Sequence, residues 1–202
     1  MPLFYQHNIN DNTKLAVWHI TEKEYFFLEK VPLQTEVSHP HKRLQHLAAR
    51  YLLEILQPGF PFHLIEIADS KKPLLRNEEF HFSVSHCGDY AAAIVSENNL
   101  VGIDVELVTQ KIKLVKERFL RGDEINLLPD PTPELLTLFW SAKEAIYKWY
   151  GKGKVSFKNN MSLNKLSFEN EQGFINAHFE KDERTDLIVE FRFFENLCLA
   201  WV

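Results

Sequence analysis

The chain has 202 residues, 45% apolar and 25% charged, and its 16 Phe and 4 Trp supply ample core material. That excludes a disordered or low-complexity chain, which could not offset its ordering entropy by burial. With 23 Lys and Arg against 28 Asp and Glu, the formal charge of −5 excludes a globally basic nucleic-acid binder.

Residues 14–20 (KLAVWHI) read as a strand, and Thr21 with Glu24 has the spacing of a capping box, predicting a short helix. Ser38 and Pro40 open a longer helix in which Leu44, Leu47, Ala48, Tyr51, Leu52 and Ile55 recur at helical spacing, until Pro58-Gly59 stops it. Residues 80–85 alternate, with Phe80, Phe82 and Val84 on one face and His81, Ser83 and Ser85 on the other. A turn at Cys87-Gly88 leads into the strand YAAAIV. Val101, Ile103, Val105 and Leu107 then alternate with Gly102, Asp104 and Glu106. A helical segment is predicted over 111–128, broken by Pro129, Pro131 and Pro133. Thr132-Pro133-Glu134 starts the next helix, whose Leu135, Leu138, Phe139, Ala142, Ile146 and Trp149 line one face down to Gly151. After 160 come the strands LNKLSFE, GFINAHFE, LIVEFRFF and LCLAWV. The expected fold class is α+β, with two similar lobes in one chain, 1–105 and 106–202. Each lobe is a small antiparallel sheet packed on a long helix.

Cys87 and Cys198 are too few for a disulfide framework and suit a reducing compartment. The start of the chain does not read as a signal peptide, and its apolar runs are too short to span a bilayer. A soluble cytoplasmic protein with no membrane partner is expected.

Four of the seven glycines fall in two short stretches, 82–106 and 140–153, which directs the search for chemistry there. On an alternating strand Asp104 and Glu106 project to one face. Paired carboxylates repel unless a cation or proton sits between them, and magnesium bridges carboxylates to phosphates. Taken alone, the pair is an ordinary solvated strand face. Gly102 beside it is expected to leave room for a bulky ligand. Glu144 and Lys148 share a helix face at i, i+4, a spacing usually filled by a surface ion pair. With Lys143 and the Gly151-Lys152-Gly153-Lys154 turn, they could complete a metal site and supply phosphate-binding cations. Ser85-His86 ends a strand before a glycine turn, and a hydrolase reading fails because Ser85 lies outside any nucleophile elbow. Residues 111–121 carry five basic groups and one acid, a solvated face or a dock for an acidic partner.

Singly each signal is weak; the combination is not. Lys72-Pro73, FSVSHCG (82–88), VGIDVE (101–106), FLRGDE (119–124) and WSAKEAIYKWYGKG (140–153) follow one another as in a known family. The series resembles the 4′-phosphopantetheinyl transferases, specifically the long, single-chain, two-lobed type that activates peptide and polyketide synthetases. The form W-x-x-K-E-A marks one of its branches. Cys87 stands where the family usually has serine, and Lys71 replaces the glycine that often precedes the Lys-Pro pair. Of the family's adenine and 3′-phosphate contacts before residue 45, only Arg43 offers a counterpart.

The resemblance implies transfer of phosphopantetheine from coenzyme A to a serine of an apo acyl or peptidyl carrier protein, releasing adenosine 3′,5′-bisphosphate. By motif, Asp104, Glu106 and Glu144 would hold magnesium, or manganese, against the pyrophosphate. Lys72, Ser85 and His86 would contact the nucleotide phosphates, with Lys143 and Lys148 nearer the pyrophosphate and Asp104 also touching the cofactor. Glu144 would accept the serine proton, and Lys148 would stabilise the departing phosphate. The site is expected at the junction of the lobes, in a monomer that binds no nucleic acid. A catalytically idle module binding coenzyme A or a carrier protein, and a metal-dependent phosphodiesterase, are the alternatives.

Overall fold

The computed structural model describes residues 3–33, 37–77, 79–128 and 130–202; the predicted helix break at Pro129 lies outside them. The chain divides into two compact units, Met1–Val101 and Gly102–Val202.

In the first unit, strands β1 (Leu3–Asn10) and β2 (Thr13–His19) precede helices α1 (Glu24–Leu28) and α2 (Pro40–Leu56). Strands β3 (Ile65–Ile67), β4 (Pro73–Leu75), β5 (His81–Cys87) and β6 (Tyr90–Ser96) follow. The antiparallel sheet has the order β1-β2-β6-β5, and β3 pairs with β4 in a separate ribbon. Leu47, Leu52, Leu53 and Leu56 of α2 pack in one buried core with Trp18 of β2 and with Ala91, Ala93 and Val95 of β6. The alanines of β6 let the helix backbone come close to the sheet. The sequence pass missed β1, an edge strand whose residues alternate between half-buried and exposed. The expected capping box of α1 is not formed. Its N-cap is Lys23, and the Glu24 carboxylate takes two bonds from Arg43, at 2.8 and 2.7 Å.

In the second unit, β7 (Ile103–Leu107) is followed by a 3₁₀ turn at Gln110–Leu114 and by α3 (Lys116–Phe119), α4 (Gly122–Leu127) and α5 (Pro133–Tyr150). Strands β8 (Met161–Glu169), β9 (Gln172–Glu180), β10 (Arg184–Phe194) and β11 (Leu197–Trp201) complete an antiparallel sheet of order β7-β11-β10-β9-β8. Helix α5 starts and stops where the sequence places it. Thr132 accepts from the Leu135 amide at one end, and Gly151 caps the other in the left-handed conformation, φ 70°.

Two expectations are corrected here. The division falls before Gly102, not after Val105, because β7 pairs along its length with β11 and so belongs to the second sheet. The single helix over 111–128 is three short pieces, because Leu120 and Arg121 are extended and the Glu124 side chain caps the new start at the Arg121 amide.

Candidate active site

Two stripes face each other in the second unit. On β7, Asp104 and Glu106 pair across the strand with Ala200 and Cys198, two residues of the core beneath α5. On α5, Trp140, Glu144 and Lys148 are four residues apart and so lie along one face. The stripes meet at both ends. Trp140 Nε1 donates to Glu106 Oε1 at 3.3 Å, and Lys148 Nζ donates to Asp104 Oδ1 at 2.7 Å and to the Ile103 carbonyl at 3.0 Å. Glu144 lies between these contacts, half-buried. Burial first, then the Asp104 and Glu106 charges, raise its carboxyl to about 7 from 4.5, against the opposing effect of Lys148. The same surroundings push the buried Cys198 thiol well above its ordinary range, chiefly through desolvation.

The sequence misreads the role of Gly102. A Cβ there would stand 2.0 Å from the Ala145 carbonyl oxygen and 2.6 Å from the Trp149 amide. Glycine at 102 admits helix α5, not a ligand.

Lys143 is likewise corrected as a phosphate contact. Its side chain is fully buried, and Nζ donates to Glu124 Oε2 (2.7 Å) and to the carbonyls of Phe119 (2.8 Å) and Phe157 (3.0 Å). All three ammonium donors are used inside the unit. Glu124, which sequence reasoning passed over, also accepts from the Leu163 amide at 2.9 Å.

The three carboxylates offer only oxygen, the donor set a hard divalent cation takes, and their mutual repulsion is what such a cation would relieve. Among the described residues, no three acidic, His or Cys side chains are drawn to ligating distance of one another.

In the first unit, Lys72 follows a three-residue turn between β3 and β4, closed by Ala68 N to Lys72 O (3.0 Å) and Lys71 N to Ala68 O (2.8 Å). Burial lowers its ammonium to about 8. Ser85 is buried on β5 and His86 exposed at its end. On α2 stand two groups the sequence reading did not single out, His46 and Arg50, four residues apart. Arg50 donates to the His46 ring, and burial with the Arg50 and His86 charges holds that imidazole down at about 4. Arg43 is engaged by Glu24 and by the Val37 carbonyl. In the basic stretch 111–121, Lys111, Lys113 and Arg118 are exposed, whereas Arg121 pairs with Asp123.

Residues 100–201, which include both facing stripes, match the family model of the 4′-phosphopantetheinyl transferase superfamily. The chain belongs to that superfamily. It is 37% identical over 95 residues to a 4′-phosphopantetheinyl transferase of Bacillus pumilus, covering 45% of this chain and 40% of that one. It is 33% identical over 115 residues to enterobactin synthase component D of Salmonella austin, covering 53% and 47%. The chain thus spans about half the length of the curated relatives it matches. Among the described residues, no helix is long and apolar enough to cross a membrane.

Proposed function

We propose that this chain moves the phosphopantetheine group of coenzyme A onto a serine of an apo carrier protein. The observation that supports this most directly is the meeting of two stripes: Glu144 of α5 lies between Lys148, bonded to Asp104 at 2.7 Å, and Trp140, bonded to Glu106 at 3.3 Å. In this reading the serine Oγ attacks the phosphorus that carries pantetheine. The new P–O bond forms as the bond to the bridging oxygen of the pyrophosphate breaks, and adenosine 3′,5′-bisphosphate departs. Glu144, directly or through a bound water, accepts the serine proton. Lys148 neutralises charge on the leaving phosphate, and positioning of the reactants supplies the rest of the acceleration.

Asp104, Glu106 and Glu144 would hold magnesium, which when bound supplies charge neutralisation and a template for the pyrophosphate. Lys72 and His86 would contact the nucleotide phosphates. The nucleophile comes from the partner, in keeping with the want of an internal nucleophilic motif.

The test is the intact mass of a panel of apo carrier proteins after incubation with this protein, coenzyme A and magnesium. A gain of one phosphopantetheine unit, abolished by chelator, is the expected result. Binding of coenzyme A with no gain on any carrier would leave an idle binding module instead.

A further inference from the structure

The turn that ends the Ser85-His86 strand is only two residues long. Cys87 pairs with Tyr90, so Gly88 and Asp89 form the whole connection between β5 and β6, with Gly88 at φ 54°. A two-residue hairpin with glycine in its first position keeps its own register without outside support. Yet this one is held from outside at three points. Gln45 Nε2, on a side chain that is 6% exposed, donates to the Gly88 carbonyl at 2.7 Å. His41 Nε2 meets Asp89 Oδ1 at 3.0 Å, and the Ile20 amide donates to the Asp89 carbonyl at 2.7 Å.

His41 and Gln45 are four residues apart on α2, so a single helix face grips the turn. These bonds add nothing to the β5–β6 ladder. What they fix is the tilt of the hairpin end against α2, and with it the place of His86, whose charge is felt by His46 on the same helix. A helix interior otherwise favours an apolar residue at a position as buried as 45, so the amide there calls for a reason.

From this we infer that Gln45 is a positioning residue: it holds the Gly88 turn so that the His86 ring is presented to an anionic group of coenzyme A. The inference rests on the transferase reading above and adds to it a residue that none of its motifs contains. A carbonyl–amide bond of this kind, lost where the turn can tilt, corresponds to about a tenfold change in a binding equilibrium.

The experiment is a double-substitution cycle on the full chain, with Gln45→Met, His86→Ala and the pair, read as KM for coenzyme A, KM for the carrier and kcat. Gln45→Met keeps side-chain volume and removes the donor. It is expected to raise KM for coenzyme A about tenfold, leaving kcat and the carrier KM within about twofold. In the His86→Ala background the same substitution should change little, since the group it positions is gone. Effects that multiply in the double variant would overturn the inference. So would a fall in kcat and thermal midpoint with KM unchanged, the mark of a merely structural residue. If Gln45→Met fails to fold, His41→Ala loosens the same turn from its exposed side and should raise KM for coenzyme A in the same direction, by less. Failure of the wild-type chain to bind coenzyme A would reject the transferase reading itself.

Discussion

Lys143 and Glu124 form an ion pair at 2.7 Å with both side chains entirely buried. Two charges removed from water depend wholly on each other and on the bonds around them. The carboxylate collects Lys143, the Arg121 amide and the Leu163 amide, while the ammonium collects Glu124 and two carbonyls. The pair therefore ties α5 to the start of α4 and to β8. Lys143→Met is expected to destabilise the chain by about 3–5 kcal/mol, by leaving Glu124 buried and unpaired. Glu124→Leu together with Lys143→Met should recover most of that loss. Urea unfolding of the two single variants and the double variant decides: losses that simply add in the double variant would mean that the two residues do not act as a pair.

Gly102→Ala is expected to cost about 3 kcal/mol and to lower turnover as well. The added Cβ would meet backbone of α5 at 2.0 Å, and backbone cannot rotate aside as a side chain can. Either α5 shifts, carrying Glu144 and Lys148 with it, or β7 does, carrying Asp104. A variant as stable and as active as the wild type would show that the helix does not rest on this glycine.

At position 71 the chain carries a lysine in the left-handed region, φ 67°, as the third residue of the β3–β4 turn. That is the place where a three-residue hairpin loop takes glycine, and it accounts for the glycine that the family resemblance expects before Lys72-Pro73. Lys71→Gly should relieve the strain of Cβ against the backbone and stabilise the chain by about 1 kcal/mol. An unchanged urea midpoint at constant m would refute this.

The stripe on β7 was legible because a strand alternates, and α5 because its caps and apolar spacing agree. Lys143 was misread through adjacency. It neighbours Glu144 in sequence, but one helical step is about 100° of rotation, and only Trp140, Glu144 and Lys148 share a face. Helical spacing alone could have separated them. Gly102 and Glu124 were a different matter. What a glycine admits, or what a buried carboxylate ties together, is decided by segments some 40 residues away: Ala145 and Trp149 for the one, Leu163 for the other. No local pattern records such contacts. Strand β1 escaped because its exposed edge leaves little apolar alternation to see.

The Glu144 carboxyl, raised to about 7 from 4.5, makes the metal-free chain's stability depend on pH. Between those values the folded chain holds a proton that the unfolded chain has released, so stability falls as pH rises through the window. The full displacement corresponds to at most about 3 kcal/mol. Burial is its largest cause, with Asp104 and Glu106 adding to it and Lys148 opposing it. Glu144→Gln should flatten this fall, leaving a chain more stable than the wild type near neutral pH in chelator. Urea unfolding from pH 4 to 8 gives the comparison, and parallel curves for the two chains would contradict the assignment.

The same substitution separates catalysis from binding. Glutamine keeps the shape of Glu144 but can neither accept the serine proton nor offer a full negative charge. If Glu144 acts in the transfer step, turnover should fall by roughly 10²–10⁴-fold, with coenzyme A affinity changed only a few-fold. Asp104→Ala makes the contrast. It removes a carboxylate from the set and frees Lys148 from its 2.7 Å partner, so both transfer and magnesium dependence should be lost while the chain still folds. The two variants measured side by side, by carrier mass for transfer and by calorimetry for coenzyme A, distinguish the roles. Large affinity losses with intact turnover in Glu144→Gln would make that residue a binding group and leave the proton without an acceptor on this chain. Near-normal turnover of Asp104→Ala in magnesium would remove Asp104 from the reaction.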